Sequence, residues 1–230
     1  MAASLGPNII DNSLILGLDA ADAISCPRPF TAPSTWYDLS INAKNATLSS
    51  ATSFDSNNGG SILLDSVNDY ANLPSSGLAF GSGAFTIESW CYLTTALTNN
   101  VIYYSQSSNT SGFSGFGYTN GSGFFLTDFN GSVRVTTINT TSISLNTWYY
   151  VVGVRNASNQ YVVYVNGIAS TTNNTSSLAL TTLDPRIGTN PASNGERWTG
   201  RIAILRMYNR TLSATEILQN FNATRKRFNL

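Results

Sequence analysis

An all-β fold in one unit, a sandwich or barrel with a single short helix near its end, is what this sequence predicts. Short apolar runs rich in Val, Tyr, Ile and Phe recur along its 230 residues, each too short for a stable helix and bounded by Gly, Ser, Asn or Pro. At residues 148–170, WYYVVGVRNASNQYVVYVNGIAS, two such runs (148–154 and 161–165) flank a polar turn. Asn166-Gly167 then supplies the two positive-φ residues that a type I′ hairpin needs. A chain of this length fits one large β domain.

Residues 1–12 read as an N-terminal arm, interrupted by Gly6 and Pro7 and anchored by Ile9 and Ile10. The first strand is expected over 13–18, SLILGL; Pro27, Pro29 and Pro33 then keep the next stretch out of any central strand. Trp36-Tyr37-Asp38-Leu39 follows, and 46–48 starts another short strand. Strands at 61–64 and 70–73 are separated by the turn-forming residues 65–69, DSVND. Residues 84–93, AFTIESWCYL, alternate with Phe85, Ile87, Ser89 and Cys91 on one face and Thr86, Glu88, Trp90 and Tyr92 on the other. Large groups on both faces predict a central strand.

Further strands are expected at 101–104, 113–118, 123–129 and 132–137, with Asn130-Gly131 closing a second type I′ hairpin. Within 148–154, Trp148, Tyr150, Val152 and Val154 share a face and are expected to form the core side; Tyr149, Val151, Gly153 and Arg155 share the other. Pro185 is expected to break the run before Arg186-Ile187-Gly188, and 198–208 is a final long strand. Ser213 and Glu216 have capping-box spacing, and Ile217, Leu218 and Phe221 form one apolar face, which predicts a helix of about two turns. Residues 223–230 read as a basic tail, with Arg225, Lys226 and Arg227 next to Phe228. The domain proper is thus 13–222.

Charge is sparse at 10% of residues, and acidic and basic side chains balance at 12 each. Nothing electrostatic favours nucleic acid or a membrane surface as partner. The opening MAASLGPNIIDNS has neither a basic n-region nor an apolar h-region, and no later run is long enough to span a bilayer, so neither secretion nor membrane insertion is expected. In such a setting Cys26 and Cys91 are expected as free, buried thiols.

The chain has no His, which removes His-based triads, most zinc sites and the commonest general base. No Gly-rich phosphate loop followed by Lys and Ser or Thr occurs. No enzymatic activity and no cofactor are expected. Calcium is the metal with a candidate site, at Asp65, Asn68 and Asp69, although Asp and Asn in a turn ordinarily serve its hydrogen bonds. Trp36, Tyr103, Tyr104, Phe113, Phe116 and Tyr118 offer material for a sugar-stacking platform, with core packing the competing role for most of them.

The order of these signals resembles the concanavalin A-like lectin/glucanase superfamily in its laminin G-like jelly-roll branch, over about residues 13 to 222. The resemblance rests on Leu16-Gly17-Leu18-Asp19-Ala20 with Trp36-Tyr37-Asp38-Leu39-Ser40; on Leu64-Asp65-Ser66-Val67-Asn68-Asp69-Tyr70; and on Phe85-Thr86-Ile87-Glu88-Ser89-Trp90. Trp148, Tyr164-Val165-Asn166-Gly167, Arg186-Ile187-Gly188 and the stretch 200–216 complete it. It implies a two-sheet antiparallel jelly-roll sandwich with one concave sheet. Two departures stand out: Ile41 and Ser66 occupy positions where the family pattern commonly has Gly. The glucanase pattern E-x-D-x-E is missing; the three glutamates are Glu88, Glu196 and Glu216.

The ends of the chain look most like standalone members among bacteriophage virion proteins. That resemblance implies a structural virion protein on the capsid surface, made in the host cytoplasm. It would be a decoration protein bound to the major capsid protein or another virion protein, as a homo-oligomer such as a trimer. Ile9, Ile10, Arg225, Lys226, Arg227 and Phe228 would then contact the partner. The alternative is a glycan-binding, lectin-like tail-fibre or host-recognition module.

Overall fold

Strands with period-two apolar patterns pair into two antiparallel sheets packed face to face. The computed structural model describes residues 8–31, 34–78, 80–106, 112–170, 174–175, 183–190 and 193–230. In the first sheet Phe85–Leu93 is central, between Trp148–Arg155 and Thr199–Tyr208. Gln160–Val165 and Ile168–Ala169 extend it on one side. On the other, Ser61–Asp65 and Leu14–Asp19 pair along successive halves of Thr199–Tyr208, and Ser53–Asp55 lies outermost.

The second sheet runs in the order Arg134–Asn139, Gly123–Phe129, Phe113–Thr119, Asn99–Gln106, Leu183–Ile187, Ala71–Asn72, Ala46–Leu48, Thr35–Trp36. A separate hairpin pairs Thr189–Asn190 with Ser193–Arg197. Pro185 lies inside a strand instead of breaking the chain before one. The strand accommodates it because the register to Asn99–Gln106 shifts between Leu183 and Arg186, and the Pro185 carbonyl still accepts the Leu73 N–H at 2.9 Å.

Between the sheets lie Phe85, Ile87, Cys91 and Leu93 from the central strand, facing Phe116, Phe124 and Leu126. Cys26 and Cys91 are free and buried. The face expected as core on Trp148–Arg155 is buried elsewhere: Trp148, Tyr150, Val152 and Val154 lie on the outer side of the first sheet, whereas Val151 enters the inter-sheet core. Both faces of that strand are apolar, so alternation alone cannot rank them. The inner face also carries Arg155, fully buried, donating from Nε to the Gly83 carbonyl at 2.9 Å and from Nη2 to that of Gly81 at 2.8 Å. Asp128 from the opposite sheet lies near Ser114, Tyr161 and Arg155, but neither carboxylate oxygen has a hydrogen bond of ordinary geometry. Burial pushes its pKa up to about 6 against the pull of those three neighbours.

The outer side of the first sheet is covered by the C-terminal helix Ala214–Thr224. Its capping box forms as expected, with the Glu216 N–H donating to Ser213 Oγ at 3.3 Å and the Ser213 N–H donating to Glu216 Oε2 at 2.8 Å. At 11 residues the helix has three turns, not two. The extra turn is anchored by tertiary contact: the Trp90 indole N–H donates to Thr224 Oγ1 at 2.8 Å. Beneath the helix, fully buried Glu88 accepts from Arg206 Nη1 at 2.8 Å, Tyr150 Oη at 2.5 Å and Asn220 Nδ2 at 2.9 Å.

Two turns differ in an instructive way. Asn166 (φ 51°) and Gly167 (φ 83°) make the expected positive-φ pair. At Asn130-Gly131 only Gly131 has positive φ, 96°. Asn130 Oδ1 accepts the Ser132 and Val133 N–H groups at 3.0 and 2.8 Å, so a side-chain turn replaces the type I′ geometry. Ser66, at a family Gly position, takes the left-handed conformation itself (φ 64°), while near Ile41 the positive φ falls on Ala43 (51°). Among the described residues no helix is long and apolar enough to cross a membrane.

Candidate functional site

The outer face of the second sheet is shaped by one bulge. Along Asn99–Gln106 the register to Phe113–Thr119 slips between Val101 and Tyr103. Ile102 and Tyr103 therefore both enter the core, and Val101 and Tyr104 both point outward. Strict alternation on the neighbouring strands adds Phe113 and Gly115, Phe125 and Thr127, and Arg134 and Thr136 to the same face. Together they line a cleft of about 280 Å³. Gly115 keeps its floor open, because a Cβ there would sit 3.1 Å from the Thr127 methyl and 3.5 Å from the Phe125 ring.

One wall is aromatic. Tyr104 and Phe113 stack with centroids 5.2 Å apart and planes 18° apart, and Phe129 continues the row 5.5 Å from Phe113. The exposed Arg134 guanidinium lies 4.9 Å from the Phe113 centroid and 5.3 Å from that of Phe129. The opposite wall is polar and comes from the small hairpin. Glu196 accepts from Asn99 Nδ2 at 2.9 Å and from Asn190 Nδ2 at 2.6 Å, while Thr119 Oγ1 donates to Asn99 Oδ1 at 3.0 Å. Two amides thus fix the carboxylate, and a third group orients one of them. Burial, reinforced by Glu196, pushes the Tyr104 phenol up to about 12.

Flat aromatic faces beside fixed carboxylate, amide, hydroxyl and guanidinium groups suit a ligand with apolar ring faces and equatorial hydroxyls. Among the described residues, Glu196 is the acidic residue in the cleft lining. Of the aromatics singled out in the sequence, Tyr104 and Phe113 line this cleft, whereas Trp36, Tyr103, Phe116 and Tyr118 pack into the core. Glu196, Asn99 and Asn190 carried no signal, because they meet only through the pairing of distant strands. Phe125, Thr127 and Phe129 were legible as one face of 123–129, but not which face would be open.

At the calcium candidate, Asp65 Oδ1 accepts the Val67 and Asn68 N–H groups at 2.7 and 3.4 Å, the turn-forming role. Asp69 is buried, and its Oδ2 accepts the Asp65 N–H at 3.0 Å. Arg186 and Arg197 line the same small cavity and oppose a cation there. Among the described residues no group of three or more Cys, Asp or Glu side chains converges to hold a metal.

The residues expected to reach a partner mostly meet the domain itself. The Ile10 N–H donates to Asn220 Oδ1 at 2.7 Å and its carbonyl accepts from Tyr208 Oη at 3.0 Å; Ile9 is half-buried beside it. Phe228 is buried, with its ring centroid 4.0 Å from that of Trp90. Arg227 pairs with Asp19 at 2.6 Å and bonds the Asn58 and Gly60 carbonyls, while Arg225 and Lys226 are exposed. Residues 225–228 form a short 3-10 helix, so this stretch belongs to the outer layer of the domain instead of forming a free tail.

The family model Laminin_G_3, described as the concanavalin A-like lectin/glucanases superfamily, matches residues 65–218. No curated protein sequence matches the chain. Among solved structures it is similar to domain 4 of AbnA, a GH43 extracellular arabinanase from Geobacillus stearothermophilus, in complex with arabinotriose. That likeness has a TM-score of 0.72 at 14% identity and covers 91% of this chain and 98% of that one. The binding domain of Paraclostridial Mosquitocidal Protein 1 is similar at TM-score 0.68 and 16% identity, covering 92% of this chain and 52% of that one. Trypanosoma rangeli sialidase follows at TM-score 0.72 and 17% identity, covering 99% of this chain and 35% of that one. The chain therefore spans about half of the second protein and a third of the third. At these identities the likeness shows the fold alone.

Proposed function

The chain belongs to the concanavalin A-like lectin/glucanases superfamily, and on that premise we propose that it is a non-catalytic glycan-binding module whose site is the cleft on the outer face of the second sheet. The observation that carries this reading is the stacked Tyr104 and Phe113 pair facing a carboxylate, Glu196, that two asparagine amides hold in place. The complex of a similar domain with arabinotriose supports it. In this reading the aromatic wall takes the apolar face of a sugar ring, and Glu196, Asn99 and Asn190 bond its hydroxyls.

A glycan array probed with the whole protein tests it. Binding to a defined subset of glycans, lost in Tyr104→Ala and also in Glu196→Gln, which leaves the buried Tyr104 ring in place, is the expected result; no glycan bound by the wild type, or wild-type binding by both variants, would overturn it. Capsid decoration, with a virion protein as partner and a trimer as the form, draws on the phage-like resemblance, on the lack of a recognisable catalytic set and on ends free to clamp a neighbour. Residues 8–12 and 225–228 pack on the domain, which favours the glycan reading.

A further inference from the structure

We propose that the 189–197 hairpin divides one extended surface into two sugar subsites, and that the second, around Asp69, takes the next unit of the same oligosaccharide. This rests on the glycan reading of the Tyr104 cleft. The hairpin pairs Thr189 with Arg197, so these two share a face; the register then shifts and Asn190 pairs with Ser193. Glu196 faces the aromatic cleft, Thr189 and Arg197 face a neighbouring cavity of about 180 Å³, and Asn190 lines both. The two spaces are thus adjoining, separated by a wall one hairpin thick.

The second cavity holds an unmet demand. Asp69 is 4% exposed, its Oδ2 takes the Asp65 N–H, and its Oδ1, also buried, has no hydrogen-bond partner among the described residues. A buried acceptor left without a donor is costly, and native proteins leave few of them. Arg186 and Arg197 supply donors in the same lining. A cation entering there would meet two guanidinium groups, and an anion would meet Asp69. A hydroxyl both donates and accepts, so a neutral polyhydroxyl ring can donate to Asp69 Oδ1 while accepting from an arginine. The ligand class is therefore a neutral oligosaccharide of two or more units, and Asp69 selects for its length.

The probe is a glycan array on which each sugar is printed both as a monosaccharide and as oligomers of two to four units. The wild type should retain the oligomers about tenfold better than the matching monosaccharide. Asp69→Asn turns the cavity-facing acceptor into a donor while its amide oxygen can still hold the Asp65 N–H, and it should abolish that preference. Val67→Trp, at a turn position 64% exposed, should do the same by filling the cavity without disturbing the fold. Both variants should keep the monosaccharide binding that Tyr104→Ala removes. Equal retention of monomer and oligomer by the wild type, or a preference unchanged in both variants, would overturn the second subsite and leave the first standing. A wild type that retains no glycan would overturn both.

Discussion

The two outer faces of this sandwich are built from the same kinds of residue and end in opposite states. On the first sheet, Trp90, Trp148, Tyr150 and Tyr208 are roofed by the C-terminal helix and by Phe228. The charges enclosed there, Glu88 and Arg206, bond each other and the surrounding Tyr and Asn side chains. On the second sheet, Tyr104, Phe113 and Phe125 line an open cleft, and their polar companions stand at its rim. Aromatic content does not separate the faces. Among the described residues, a covering segment does: a covered face must satisfy its polar groups internally, while an open face can leave them for a ligand.

The sharpest way to break this contrast is Glu88→Ala. It leaves Arg206 as an uncompensated buried cation, and urea unfolding should show a loss of about 3–5 kcal/mol; a loss under about 1 kcal/mol would mean that the covered face is not a closed network. Phe228→Ala removes the ring stacked on Trp90 and should cost about 3 kcal/mol, as buried Phe truncations do. Stability unchanged by that variant would return 225–228 to the role of a free tail.

A pH series probes the layer between the two faces. Unfolded Asp128 loses its proton near the ordinary 3.8, whereas in the fold it holds the proton to about 6. The folded state binds the extra proton in that window, so stability falls as pH rises from about 4 to 6 and then levels, by about 3 kcal/mol from this group. Asp128→Asn should flatten the fall in denaturant midpoints measured at pH 4 and pH 7; an identical slope in the variant would assign it to another group. The smallest effect on stability is expected from Gly115→Ala, which fills the cleft floor: the Thr127 methyl 3.1 Å from the new Cβ must give way, so unfolding should shift by about 1–2 kcal/mol while glycan affinity drops about tenfold. A variant that binds normally would place the ligand elsewhere.

The central strand was legible from residues 84–93 because both of its alternating faces are large, and it does sit mid-sheet. The helix start was legible because a capping box is a local hydrogen-bond pattern. Its third turn was not, since Thr224 is held by Trp90, 134 residues away. Two of the three residues of the site's aromatic wall, Tyr104 and Phe113, were visible among neighbouring aromatics, but the bulge that turns Val101 and Tyr104 outward together depends on the partner strand.

By itself, then, the sequence determined what is encoded within a few residues: the strand runs, the Asn166-Gly167 turn, the Ser213 cap and the lack of His-based chemistry. Tertiary structure alone decided which apolar face of Trp148–Arg155 meets the other sheet and which lies under the helix. It also brought Glu196 and Asn190 to Asn99, nearly a hundred residues away. The reason is physical. Local patterns set backbone conformation and the alternation of side chains, but burial is a property of whatever packs on top, and that cover comes from segments distant in the chain.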